Sequence, residues 1–163
     1  MRSTTFNGEL IVRATQVDVP LPTGYLIPKA VMQAALDAYT TEYVKQNRAF
    51  GELNPDLHMY DHHGTIQLSE VSHAVTGYNW WHETSDGSTT LYVHIKPLDT
   101  PKGRVLKALL DSEVPVHASY RAEGSVTNAT ANPDFRLISF DITPENVPTV
   151  DGVFRHDEFG RRV

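Results

Sequence analysis

Between Leu91 and Lys96 the chain alternates: Leu91, Val93 and Ile95 fall on one face, Tyr92, His94 and Lys96 on the other. A period of two marks a half-buried strand, so a strand is predicted over 89–96. A second, over 77–83, is its natural partner, because Asp86-Gly87 between them suits the positive φ angles of a hairpin turn. Residues 9–17 (ELIVRATQV) are rich in β-branched side chains and read as a strand, stopped by PLPTG at 20–24. VHASY at 116–120 and FRLISFDI at 135–142 add two more. From Ile66 to Val75 the alternation continues with neither face purely apolar, which predicts a strand whose end carries His73.

Two stretches switch to helical spacing. Val31, Ala35, Tyr39 and Tyr43 recur every fourth position, with Met32 and Leu36 beside them, predicting a helix from Pro28 to about Gln46. Thr100 can cap a second helix, with Pro101 in its first turn and Val105, Leu106, Leu109 and Leu110 as its apolar stripe. Gly103 near its start costs roughly 1 kcal/mol against alanine. The stretch 47–65 is turn-rich, and the chain after Thr143 is polar and turn-prone. The class is therefore α+β, strands dominating, with one domain over 1–142 and a loosely attached tail over 143–163.

Composition narrows the function. The chain has 163 residues, a net charge of −6 and no cysteine. A thiolate metal site and a cysteine nucleophile are thereby excluded. No apolar run approaches the ~20 residues that span a bilayer, and the first residues lack the apolar stretch of a signal peptide. The expectation is a soluble domain without membrane contact, and the acidic balance argues against nucleic acid as a partner.

Two constellations could carry chemistry. His58, His62 and His63 cluster with Asp56 and Asp61, and in a helix 58 and 62 would share a face suited to zinc. Pro55 and Gly64 bracket the segment and HExxH is absent, so a solvated turn is the better reading, with a metal-dependent hydrolase as a rival. The second is serine with histidine, the pair that acyl transfer needs within hydrogen-bond reach. There are nine serines. Two contexts stand out: His73 in SEVSHAV, and Ser119 in HASYRAEG, where a turn toward Gly124 could offer backbone N–H groups to an oxyanion.

Around these residues the sequence resembles the prohead proteases of tailed bacteriophages, serine proteases that share a fold with the herpesvirus maturational proteases. IPKAVMQAALDAY followed by RAFGELN resembles the family's first helix and its Gly-Glu-Leu-Asn segment. IQLSEVSHAVTG resembles a strand with a Val-Ser-His motif, LDTPKGRVLKALLDSEV a Thr-Pro-x-Gly helix, and VHASYRAEG the Ser-Ser-Arg-Gly-x-Gly strand and turn. FRLISFDITPENVP resembles the closing strand with an acidic residue and a following proline. There are departures: the family's histidine before the proline is missing between Asn54 and Pro55, Tyr120 replaces the second serine, and Ala122 replaces the glycine after the arginine.

The resemblance implies a mostly antiparallel β-barrel or curved sheet with two flanking helices. It implies a serine endopeptidase with Ser119 as nucleophile, His73 as general base and Asp141 orienting the imidazole, with Asp134 as the competing acid. Backbone N–H groups of Tyr120, Arg121 and Ala122 would form the oxyanion site. No cofactor or metal is implied. The expected substrates are capsid and scaffold proteins, and the protease itself, inside an assembling prohead in the host cytoplasm. Association between copies is the expected activation switch. A rival of another class is a scaffold or core protein that keeps the fold without turnover.

Overall fold

The computed structural model describes residues 4–6 (as backbone), 9–55 and 64–144. Strands β1 (Thr4–Phe6), β2 (Glu9–Val17), β3 (Phe50–Glu52), β4 (Val71–His82) and β5 (Thr89–Pro97) form an antiparallel sheet in the order β1-β2-β5-β4-β3. Helix α1 (Lys29–Tyr39) lies between β2 and β3 in the chain, and α2 (Pro101–Asp111) follows β5. Strands β6 (Val116–Glu123) and β9 (Arg136–Pro144) form an antiparallel ribbon. The short strands β7 (Val126–Thr127) and β8 (Thr130–Ala131) pair with each other between them. The ribbon joins the sheet beyond β3, where Leu53 bridges Ile142. At its other side β6 lies against β2. The result is α+β, a strongly curved layer rather than a closed barrel.

The alternation that predicted β5 shows in its burial: Leu91, Val93 and Ile95 are wholly buried. They meet Leu10, Val12, Ala118, Tyr120, Phe140 and Ile142 in one core cluster. Helix α1 adds Met32, Ala35, Leu36 and Tyr39, and the Tyr39 ring packs edge-on to Phe140 at 5.6 Å between centroids. Each such large side chain taken from water contributes ~1.5–3 kcal/mol. Pro28 caps α1 from outside rather than opening its first turn, and a π-helical turn (Thr40–Val44) extends it almost to the predicted end.

Three expectations need correction. Residues 66–75 are not one strand: Leu68–Glu70 form a 3₁₀ turn and β4 begins at Val71, running unbroken through the predicted separate strand to His82. Leu68, at the start of the predicted alternation, is 75% exposed. The strand predicted over 116–120 does not stop there: β6 continues through Ser119 to Glu123. The strand predicted over 135–142 runs on to Pro144; residues 145–163, the rest of the expected tail, lie outside the described ones.

Gly103 has a steric reason. A Cβ there would stand 1.8 Å from the Leu98 carbonyl oxygen and 2.8 Å from that of Ser72. Bare backbone lets the first turn of α2, capped as predicted by Thr100 accepting from the Gly103 N–H at 2.9 Å, press onto the start of β4.

Candidate active site

Side chains on the β6–β9 ribbon alternate between an apolar and a polar face. Ala118, Tyr120, Phe140 and Ile142 enter the core. On the other face Ser119 stands directly opposite Asp141, and Arg121 opposite Ser139, so these four share one surface. All four are buried.

Arg121 organises that surface. Its Nε donates to Asp141 Oδ2 at 2.7 Å and to Ser139 Oγ at 2.9 Å. Its Nη2 donates to Glu52 Oε2 at 2.7 Å and to Asp141 Oδ1 at 3.1 Å, and its Nη1 to the Thr65 carbonyl at 3.1 Å. Asp141 also accepts from the Glu52 backbone N–H at 3.0 Å and from the Ser139 hydroxyl. Burial alone would depress the guanidinium, but the two carboxylates outweigh it and hold it above its ordinary value. Burial likewise raises Asp141, only partly countered by Arg121. The two groups thus shift upward for different reasons: the guanidinium through its carboxylate partners, the carboxyl through its burial. Burial, with Asp141 nearby, also raises Tyr39 beneath the ribbon.

Ser119 sits at the edge of this cluster. Its Oγ is buried and has no hydrogen-bond partner among the described residues. Buried hydroxyls are nearly always bonded, so an orphan beside a saturated ion cluster stands out.

His73 is built differently. The register shifts between Gly51–His73 and Glu52–Val71, leaving Ser72 as an extra residue in β4. Such a bulge lets neighbouring side chains meet: Ser72 Oγ lies 2.8 Å from His73 Nδ1. Nε2 lies 2.8 Å from the Phe140 carbonyl. A carbonyl only accepts, so Nε2 carries the proton and Nδ1 accepts from the Ser72 hydroxyl. The ring crosses β3 where a Gly51 side chain would be: a Cβ there would stand 2.1 Å from Nε2 and 2.2 Å from Phe140 O. Burial lowers the imidazole to about 4, against a smaller upward pull from the Phe140 carbonyl.

The structure therefore does not join the three expected catalytic residues by hydrogen bonds. Gly51 and Glu52 are consecutive on β3 and face opposite ways. His73 fills the Gly51 side, while Glu52 meets Arg121 on the Ser119 side. Asp141 gives its oxygens to Arg121, Ser139 and the Glu52 N–H rather than to an imidazole. Asp134 is farther removed in role: both its oxygens accept from the Ser125 N–H at 3.0 Å, fixing a turn. Tyr120, Arg121 and Ala122 lie in the ladder with β9, not in a turn. The expected oxyanion turn is absent because the strand continues through it.

Glu52 is the site residue that sequence chemistry missed, quoted only within a matching segment. A carboxylate in the mostly apolar run AFGEL was the available signal, since an acidic group so placed needs a cation. The metal candidates His58, His62 and His63, with Asp56 and Asp61, lie outside the described residues. Among the described residues no cluster of three metal-ligating side chains occurs, and no helix is long and apolar enough to cross a membrane.

The five-stranded antiparallel sheet, the ribbon that continues it and the two helices alongside make up a fold shared with a phage capsid-assembly protease. The solved structure of the capsid assembly protease gp21 of bacteriophage T4 superposes with a TM-score of 0.65 over 88% of this chain and 88% of that one, at 17% identity. No family model matches the chain, and no curated protein does. What is shared is the fold.

Proposed function

We propose that the chain is a serine endopeptidase of the capsid-assembly kind, with Ser119 as nucleophile, acting on capsid and scaffold proteins, and on itself, inside an assembling phage head. The observation that carries this reading is the unpartnered, buried Ser119 Oγ on β6, within a fold shared with a capsid assembly protease. Ser119 Oγ attacks the scissile carbonyl as a histidine takes its proton. That histidine protonates the leaving amine, and water, activated by the same group, releases the acyl-enzyme. No cofactor or metal is called for.

His73 is the base implied by the motif it sits in. In the arrangement described here it would have to release Phe140 and Ser72 to serve. A second reading places the base among His58, His62 and His63, and two observations favour it. Asn54 N–H donates to Ile142 O at 2.7 Å, and Arg121 holds Thr65. Both flanks of the segment are thus tied to the Ser119 ribbon, and its histidines follow the position where the family pattern has one. Cleavage assays on each single His→Ala variant decide between them. Loss only in His73→Ala supports the motif reading, and loss only in one of the other three transfers the role. Full cleavage by a folded Ser119→Ala protein sinks the protease reading and leaves the scaffold rival.

A further inference from the structure

Three buried charged groups are an odd way to hold a ribbon together. The apolar face of β6–β9 already packs Ala118, Tyr120, Phe140 and Ile142 into the core, and apolar side chains in place of a buried ion cluster usually stabilise a fold as well or better. The cluster is also assembled from afar: Arg121 reaches Glu52 across 69 positions and Asp141 across 20. Its bonding explains what it does to its neighbour. Asp141 stands directly across the ladder from Ser119, where a carboxylate would ordinarily accept the serine's O–H. Here the Arg121 fork takes Oδ2 at 2.7 Å and Oδ1 at 3.1 Å, the Glu52 N–H takes Oδ1 at 3.0 Å, and the Ser139 hydroxyl lies 3.3 Å from both. Ser119 Oγ is left without a partner among the described residues.

We propose that Arg121 and Glu52 are positioning residues that saturate Asp141 and so keep the Ser119 hydroxyl free for its base. Resting on the reading of Ser119 as nucleophile, this gives Asp141 a different part from orienting an imidazole. The planar guanidinium is what the arrangement needs, because its rigid fork sets two parallel N–H donors on the two carboxylate oxygens while also reaching Glu52, a geometry that the point charge of an ammonium does not hold. When the fork is lost, an oxygen of Asp141 is released and captures Ser119.

The experiment is the rate of modification by a serine-directed fluorophosphonate, scored at Ser119 by peptide mass spectrometry on protein shown folded by circular dichroism. Wild type is compared with Arg121→Lys and with the uncharged triple variant Arg121→Met/Glu52→Gln/Asp141→Leu, which removes the capturing carboxylate. Arg136→Ala, at a surface ion pair, is the control. Arg121→Lys is expected to react about tenfold more slowly, the value of one hydrogen bond that must be broken first. The triple variant is expected to return to within about threefold of wild type on the same scale. A merely structural role predicts the opposite order, with the triple variant at least as slow as the single one. That result, or Arg121→Lys reacting like wild type, overturns the inference while leaving Ser119 as nucleophile. Should Arg121→Lys not fold, the triple variant alone decides: persistent slowness overturns the proposal. Wild type unmodified at Ser119 removes the nucleophile itself, a different failure.

Discussion

The surroundings of His73 and of Ser119 lie on either side of one short strand, β3, and they treat their polar atoms in opposite ways. On the Gly51 side every ring nitrogen of His73 is bonded, by Ser72 and by Phe140. On the Glu52 side an ion cluster is fully bonded within itself while the neighbouring Ser119 Oγ is left over. Saturation locks a group in place, whereas a residual hydroxyl next to saturated charges is left with unused hydrogen-bonding capacity. A histidine in a familiar motif must therefore release its partners before it can take a proton, whereas the unbonded hydroxyl on the serine side has none to release.

The largest expected effect breaks the charged side. Arg121→Met leaves Glu52 and Asp141 buried without their counter-ion and should lose about 3–5 kcal/mol of stability in urea unfolding. A loss under ~1 kcal/mol would mean that water reaches the cluster.

The uncharged side should respond to pH. The His73 pKa falls from 6.5 in the unfolded chain to about 4 in the folded one, so between those values the unfolded state binds more protons and stability drops as pH falls. The contribution is present above pH 6.5 and is lost on descending to about 4, worth ~3 kcal/mol. Asp141 works in the other sense, because its raised pKa favours protonation of the folded state. The measurement is therefore the difference between wild type and His73→Gln, whose pH dependence should lack this drop. Parallel curves would show that His73 is solvated.

A smaller effect tests the strand between the two sides. In Gly51→Ala the new Cβ meets His73 Nε2 at 2.1 Å and the Phe140 carbonyl at 2.2 Å, and overpacking of that kind costs ~1–3 kcal/mol. Adding His73→Ala should recover only part of the loss attributable to Gly51→Ala, because the carbonyl contact remains. Full recovery would show that β3 and β9 separate easily. The smallest effect belongs outside both regions. Arg136→Ala removes an exposed pair with Glu123 at 2.9 Å and should change stability by less than ~1 kcal/mol.

How far the sequence reached follows from what each feature depends on. Strand β5 and the Thr100-Pro101 helix start are local patterns, and each took its predicted form; at Asp86-Gly87 only the glycine has a positive φ, within a longer loop closed by Glu83 and Ser88. The 3₁₀ turn at Leu68–Glu70 was hidden because the apolar–polar alternation runs through it, with an exposed Leu68 keeping the rhythm. The π turn after α1 keeps nearly helical spacing, so periodicity could not resolve it. Arg121, Glu52 and Asp141 meet only through three strands distant in sequence. The burial of His73 depends on a missing side chain at Gly51 and a bulge at Ser72, both consequences of pairing. Ser119 was legible as a residue but not as an orphan hydroxyl, since that property belongs to its neighbours.

The most direct measurement is the site of covalent modification by a fluorophosphonate, combined with cleavage by Ser119→Ala. One adduct, on Ser119, together with loss of both modification and cleavage in a Ser119→Ala protein of unchanged thermal stability, is the predicted result. An adduct on another serine, or cleavage that survives in the folded variant, would contradict it.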